Sequence, residues 1–391
     1  MAKQRTAISL FSGCGGLDLG FVQAGFKILT AYDHWAPSME VYSLNASILG
    51  DVKTNTKSLC LADNEVTLDD FPKADVILGG PPCQGFSFAG RQSADDPRNK
   101  LYQDFVKIVN HVRPRAFLME NVRGMEAMAL KNVIRDFKKV GYTLVVTMAR
   151  AQDFDLAQRR ERLIIVGFEE SSGVLFEPPS STFGELFGAT KPKSILETIH
   201  DLPVPFVCSD SGADLPDDVR SHAIKPLPDL VQRFVRHIPN GGCFRDAPRK
   251  TLPDRLKKIL DDPQRYRSPR LFPKPDPSEP AQTIPADTNP SLGGVLAPDL
   301  VYGDSAPAMP ADAALNTKNG LYTSPSPSRR LSPREAARLQ GFPDEFTFRG
   351  SITTQFQMIG NAVPVAMARA FAEGILEQLP SEPKRARPKK T

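Results

Sequence analysis

In GGPPCQGFS, residues 79–87, a cysteine lies directly behind two prolines. Proline fixes φ, so Pro81 and Pro82 hold the chain to one course, and Gly85 lets a second molecule come close. A free thiol ionises near pH ~8.5, which leaves a few per cent thiolate at neutral pH, and an electropositive pocket raises that share. Cys83 is therefore a candidate nucleophile. A lone cysteine can also be a small buried hydrophobe, so its neighbours decide. A papain-type thiol needs a paired histidine and a local signature that is absent. A zinc deaminase needs H-x-E and P-C-x-x-C; here PCQG is followed by Phe86 and no H-x-E occurs.

Three further stretches could serve such a thiol. MENV (119–122) ends an apolar run with Glu120. A carboxyl there is either a satisfied structural group or an acid that shares a proton with a substrate nitrogen. QRRERL (158–163) sets Arg159, Arg160 and Arg162 against a strand start, either as a solvated basic edge or as donors to an anion or a base carbonyl. FSGCGGLDLGF (11–21) runs from a strand through a glycine turn into a helix. Such a turn offers free N–H groups and close approach, yet it is not a strict G-x-G-x-x-G and by itself can be a plain turn. Asp33 ends the second strand, where an acid commonly binds a ribose, and Asp51 follows the next segment. Together they suggest an adenosine-containing cofactor. Cys14, in the glycine turn, reads as a pocket lining.

The elements that must position these groups alternate. Strands are expected at 7–11, 27–33, 75–80, 116–122, 142–149 and 162–168, and helices at 17–25, 37–45, 100–112 and 126–141, the last closed by Gly141. This alternation predicts an α/β sheet with helices on both faces. Residues 171–331 hold about two-thirds of the 36 prolines and few periodic segments. Their aromatic and aliphatic content favours a small ordered domain with short helices in 231–242 and 254–262. Regular pattern returns in SPREAARLQG (332–341), a capped helix ended by glycine, and in a last helix over 363–379. The expected organisation is 1–170, 171–328, 329–379 and a basic tail, 380–391.

The formal charge is +4, and the tail SEPKRARPKKT accounts for it with five basic residues and one acid. The tail is either a solvated end or a DNA contact. No apolar run reaches the ~18 residues of a membrane span, which fits a cytoplasmic protein. Five cysteines and five histidines are dispersed without metal-ligand spacing, so no metal and no disulfide framework is expected.

With these motifs in this order the sequence resembles the DNA (cytosine-5)-methyltransferases of the single-chain bacterial type. RRLSPREAARLQGFPD (329–344) and QMIGNAVPV (357–365) extend the likeness, as do IPNGGCFRDAP (238–248) and EPAQTI (279–284) in the middle section. The resemblance implies a class I S-adenosylmethionine-dependent methyltransferase (Rossmann-like) sheet with a second, smaller target-recognition domain. The cofactor would be S-adenosylmethionine. Phe11 would pack on its adenine, and Ser12, Gly13, Cys14, Gly15 and Gly16 would lie along its methionine part. Asp33 would bind the ribose, Asp51 the adenine amino group, and Asn361 and Ala362 the methionine end. His34, Val52, Pro82 and Leu101 would complete that pocket. Asp33 stands where the family usually has Glu, and Asp155 and Ala157 replace a common Gly and Pro.

By the same resemblance Cys83, Glu120 and Arg162, with Arg160 in support, would methylate C5 of a cytosine flipped out of double-stranded DNA. Gln84, Ser87, Arg91 and Arg98, in the loop after the thiol, would meet DNA. Arg265, Arg267, Arg270 and Lys274 are candidate phosphate contacts. The expected setting is a monomer that protects bacterial DNA alongside a restriction endonuclease. An RNA methyltransferase of the same fold and a catalytically silent DNA-binding regulator are the rival readings.

Overall fold

The computed structural model describes residues 4–82, 101–181, 191–203, 205–208, 221–262, 271–286, 296–298, 321–322 and 329–380. Cys83, Gln84, Ser87, Arg91, Arg98, Arg265, Arg267, Arg270 and residues 381–391 of the basic tail lie outside the described residues.

Seven strands form one sheet: β1 Thr6–Leu10, β2 Lys27–Tyr32, β3 Lys53–Asn55, β4 Val76–Gly79, β5 Ala116–Asn121, β6 Tyr142–Arg150 and β7 Glu161–Glu169, in the order β3-β2-β1-β4-β5-β7-β6. Strands β1 to β5 pair in parallel. β7 inserts antiparallel between β5 and β6. Its first residues therefore lie at the carboxyl ends of the parallel strands, where α/β sheets bind ligands, and β1 and β4 flank the switch point.

The central strands are buried on both faces, so they read as continuous apolar runs rather than as alternation. Ile8, Leu10, Ile77, Phe117 and Met119 pack on one side with Phe105 and Phe137 from the helices Leu101–Val112 and Leu130–Lys139. Ala7, Val76, Leu78, Ala116 and Leu118 pack on the other side, with Phe21 from the helix Gly16–Gln23 and Met367 and Phe371 from Val365–Gln378. The last two helices touch through a glycine: a Cβ at Gly20 would lie 2.5 Å from Ala368 Cβ and from the Arg369 backbone nitrogen. The C-terminal helix thus packs directly on the first one.

Several expectations shift in detail. The helix over 126–141 is two helices, Gly124–Met128 and Leu130–Lys139, broken at Ala129, where φ is −131°. Gly141 does turn the chain, with φ +84°. The helix in 231–242 is Asp229–Val235, and that in 254–262 is Asp254–Asp261. Ser332 caps Pro333–Leu339 in a reciprocal box with Glu335, and Gly341 follows at φ +84°.

Within the middle region Phe234, Phe244, Ile259, Leu271 and Phe272 form an apolar cluster of their own. Ile195, Ile199, Ala281 and Ile284 instead join the core that contains Leu339 and Ile359. Lys274 belongs to the interior: it is 1% exposed and its backbone N–H donates to the Gly242 carbonyl. The expectation that it meets phosphate is corrected accordingly, because a buried ammonium has no open face for a phosphate. Among the described residues no helix is long and apolar enough to cross a membrane.

Candidate active site

A cavity of about 380 Å³ opens at the carboxyl ends of β1, β2, β4 and β5. One side is the glycine turn. Gly13 sits at φ +55°, and a Cβ there would meet nothing within 4 Å, so its backbone faces open space. Its N–H donates to Asp33 Oδ2 at 2.9 Å, while the Trp35 N–H donates to Asp33 Oδ1 at 2.8 Å. The acid that ends β2 therefore shapes the turn as well as facing the cavity. Gly16 is required by contact: a Cβ would lie 2.8 Å from the Val363 carbonyl oxygen and 3.0 Å from Ala362 Cβ. The turn is in this way seated on the start of the C-terminal helix segment.

Beneath the turn lies a buried acid. Asp18 is fully buried and accepts from Ser9 Oγ at 2.6 Å and from the Tyr42 hydroxyl at 2.7 Å. Burial pushes its pKa up to about 6, partly opposed by those two hydrogen bonds. Cys14 is also buried, its thiol directed at the Met358 carbonyl at 3.8 Å, and burial pushes its pKa up to about 12. It is a neutral thiol that lines a pocket, as its place in the turn suggests, and no nucleophile.

The opposite side carries the groups for chemistry. Glu120 and Arg162 form an ion pair, Oε1 to Nε 2.7 Å, both largely shielded from solvent. A Cβ at Gly80 would lie 2.8 Å from Glu120 Oε2, so any larger residue there would have to displace the carboxyl from beside the end of β4. Asn121 donates from Nδ2 to the Pro81 carbonyl at 3.1 Å. Pro82, the residue before Cys83, is on the cavity wall.

Arg160 is 1% exposed. Its Nη1 donates to the Ile284 carbonyl at 3.1 Å and its Nη2 to the Gly360 carbonyl at 2.6 Å. Burial weighs against its charge, as does Arg162, while Glu120 favours it; the high intrinsic pKa of a guanidinium keeps it protonated. Gln158 supports the same junction. It donates to the Leu339 carbonyl at 3.0 Å and to Gln340 Oε1 at 3.1 Å, and accepts from the Ile284 N–H at 3.2 Å. A Cβ at Gly360 would lie 2.4 Å from the Ala286 backbone nitrogen. Segment 281–286 is thus wedged between the start of β7 and the chain that leads to Asn361.

The cavity brings together Phe11, Ser12, Gly13, Cys14, Gly16 and Asp33 with His34, Pro82, Asn361 and Ala362, and joins them to Glu120, Arg160 and Arg162. Gly15, Asp51, Val52 and Leu101 are not on its wall. Gly15 faces Tyr42 and Leu49 instead, and Asp51 is exposed. Val52 packs against the core, and Leu101 begins its helix half-buried. Asn121, Gln357 and Met358 line the cavity although sequence reasoning gave them no role. The signal for each was its place inside MENV or QMIGNAVPV.

The seven-strand α/β sheet, with a glycine turn at the end of its first strand, is that of a class I methyltransferase fold. The chain belongs to the C-5 cytosine-specific DNA methylase family, whose model matches residues 5–377. It is therefore an enzyme of DNA cytosine-C5 methylation of the restriction-modification type. It is 32% identical to the type II methyltransferase M.NgoFVII of Neisseria gonorrhoeae, over 94% of this chain and 86% of that one. It is 30% identical to M.DdeI of Desulfomicrobium norvegicum, over 94% and 88%. In fold it is similar to a candidate DNA modification methyltransferase encoded within an E. coli prophage, with a TM-score of 0.64 at 22% identity over 96% and 99% of the two chains. The S. pombe Dnmt2 methyltransferase aligns with a TM-score of 0.57 at 18% identity over 96% and 99%.

Proposed function

We propose that this chain methylates C5 of a cytosine flipped out of duplex DNA at a specific sequence, through a covalent bond from Cys83 to C6. The observation that carries the reading is the shared cavity. The glycine turn and Asp33 stand on one side, Glu120 and Arg162 on the other, and Pro82 leads from its wall into the thiol.

The chemistry requires each residue type. C5 of cytosine is too weak a nucleophile to take a methyl group unaided. Attack of the Cys83 thiolate on C6 breaks the ring's conjugation and makes C5 an enamine carbon. Glu120 shares a proton with N3 and so stabilises the charge that develops there, and Arg162 holds the O2 side. Arg160, bound to two backbone carbonyls, braces the start of the strand that carries Arg162. S-adenosylmethionine, when bound, supplies an electrophilic methyl group. A base then takes the C5 proton, and the returning electron pair expels the Cys83 thiolate.

The residues of the turn suit that cofactor. The open backbone at Gly13 accommodates its methionine part, Asp33 its ribose, and Phe11 its adenine, with Asn361 and Ala362 closing the methionine end. Extracting the target base costs a few kcal/mol, which protein contacts must offset. The middle region, 171–328, is the part proposed to read base edges. The setting proposed is a monomer in the bacterial cytoplasm that protects DNA from a cognate restriction endonuclease.

The test is covalent capture. Wild-type protein with cofactor should form a stable adduct on DNA carrying 5-fluorocytosine, from which the C5 substituent cannot be removed. Cys83→Ser should form none. Equal adduct yield from that variant would refute the nucleophile assignment.

A further inference from the structure

The stretch that delivers Cys83 is poor in ways to be held. Neither Pro81 nor Pro82 has a backbone N–H, so between Gly80 and the thiol only carbonyls are available to anchor the chain. The Pro81 carbonyl accepts from Asn121 Nδ2 at 3.1 Å. Asn121 is 2% exposed, and its Oδ1 accepts from the Val122 N–H at 2.9 Å. An acceptor fixed on that N–H leaves only the NH₂ end to face Pro81, so the amide has one orientation. The preceding residue on β5 makes the companion contact, since the Glu120 carboxyl occupies the space beside Gly80. Of the last two residues of β5, Asn121 therefore holds Pro81 by a hydrogen bond, and Glu120 fills the space beside Gly80.

We propose that Asn121 is a positioning residue for the reaction. Its amide holds the Pro81 carbonyl, two residues before Cys83, against the strand end that carries Glu120, and the reaction slows when that hold is lost. The inference rests on the reading of Cys83 as the nucleophile. It concerns geometry rather than contact with substrate, and a displacement of about 1 Å between reacting groups can lower a rate about 100-fold.

Two variants separate this role from a merely structural one. Asn121→Ala removes the donor. Asn121→Asp keeps the shape but, when ionised, turns an acceptor toward the Pro81 carbonyl; when protonated it can donate again. Both should slow adduct formation on 5-fluorocytosine DNA, and kcat, by about 10- to 100-fold, with equilibrium binding of S-adenosylhomocysteine unchanged within about twofold. Between pH 8 and pH 6 the rate of Asn121→Asp relative to wild type should recover several-fold, and that of Asn121→Ala should not. The titratable groups that line the cavity with Asn121 are Glu120 on the same strand, Arg162 on β7 with Arg160 just before it, and Cys14, Asp33 and His34 across the cavity, while Arg123, two residues further on, pairs with Glu161. All are common to the three proteins, so the ratio isolates residue 121. Wild-type adduct rates in both variants would overturn the inference and leave the nucleophile assignment standing. So would loss of S-adenosylhomocysteine binding or a flat pH ratio for Asn121→Asp. An adduct formed by Cys83→Ser would overturn the assignment itself.

Discussion

Arg162 reaches Glu120 across two antiparallel strands, Nε to Oε1 at 2.7 Å, and the pair closes one wall of the cavity. The antiparallel course of β7 makes this contact. Were β7 parallel to β5, its first residues would lie at the opposite edge of the sheet. Glu120→Gln keeps the size of the side chain and removes its capacity to share a proton. We expect kcat to fall by 10²- to 10³-fold, in the range typical of a lost general acid. Cofactor affinity, measured by equilibrium titration, should stay within about threefold; loss of cofactor binding would place this carboxyl in the wrong pocket.

Gly80→Ala tests the same wall from the other side. The added methyl would lie 2.8 Å from Glu120 Oε2, the end of a side chain that can move. The fold should tolerate it, with Tm changed by only a few degrees, while the displaced carboxyl lowers kcat at least about tenfold. Thermal unfolding and single-turnover methylation of one preparation decide. A matched loss of stability and rate would point to general disruption.

Asp18 gives an expectation with a sign. Its folded pKa of about 6 stands above the ordinary value of 3.8, so the unfolded chain gives up this proton first. The contribution to stability is full below pH ~4 and is lost as pH rises through about 6. Asp18→Asn has no charge to bury. Its stability relative to wild type should therefore improve by about 3 kcal/mol between pH 4 and pH 8, at 1.36 kcal/mol for each of roughly two units. Urea unfolding at both pH values measures it, and a constant difference would show that the carboxyl is not held in apolar surroundings.

Glu335 accepts twice from Arg329, at 2.7 Å each, with both groups buried. The Arg329 cation beside it draws the Glu335 pKa below the usual carboxylate range, against the opposing effect of burial. Glu335→Ala takes the buried carboxylate away from the Arg329 guanidinium and removes the side-chain half of the reciprocal cap of Pro333–Leu339. The expected loss is about 3–5 kcal/mol, read as a shift in the urea midpoint. A loss under about 1 kcal/mol would mean that water reaches the junction freely.

Much of this was legible in the residues. Six of the seven strands of the large sheet announce themselves as apolar runs. β3 does not, because Lys53, Thr54 and Asn55 form a short polar edge. The break at Ala129 is invisible because a single non-helical residue leaves the apolar spacing on either side intact. Glu120, Arg160 and Arg162 sit in compact motifs, so their types were readable. Their mutual geometry was not, because an apolar run carries no strand direction. The contacts of Gly80 with Glu120 and of Pro81 with Asn121 join positions 40 residues apart, which only the pairing of β4 with β5 brings together. Lys274 shows the converse: charge on a lysine says little about exposure when its surroundings come from distant chain.

The wedge at 281–286 sets a limit on recombination. Ile284 supplies both an acceptor for Arg160 and a donor for Gln158, and Gly360 leaves no room for a shifted neighbour. A chimera that swapped the whole of 171–328 for a homologous insert would remove these braces. Splice points placed before residue 281 or after residue 286, with the six residues between them left native, keep the scaffold's keystone in the recipient.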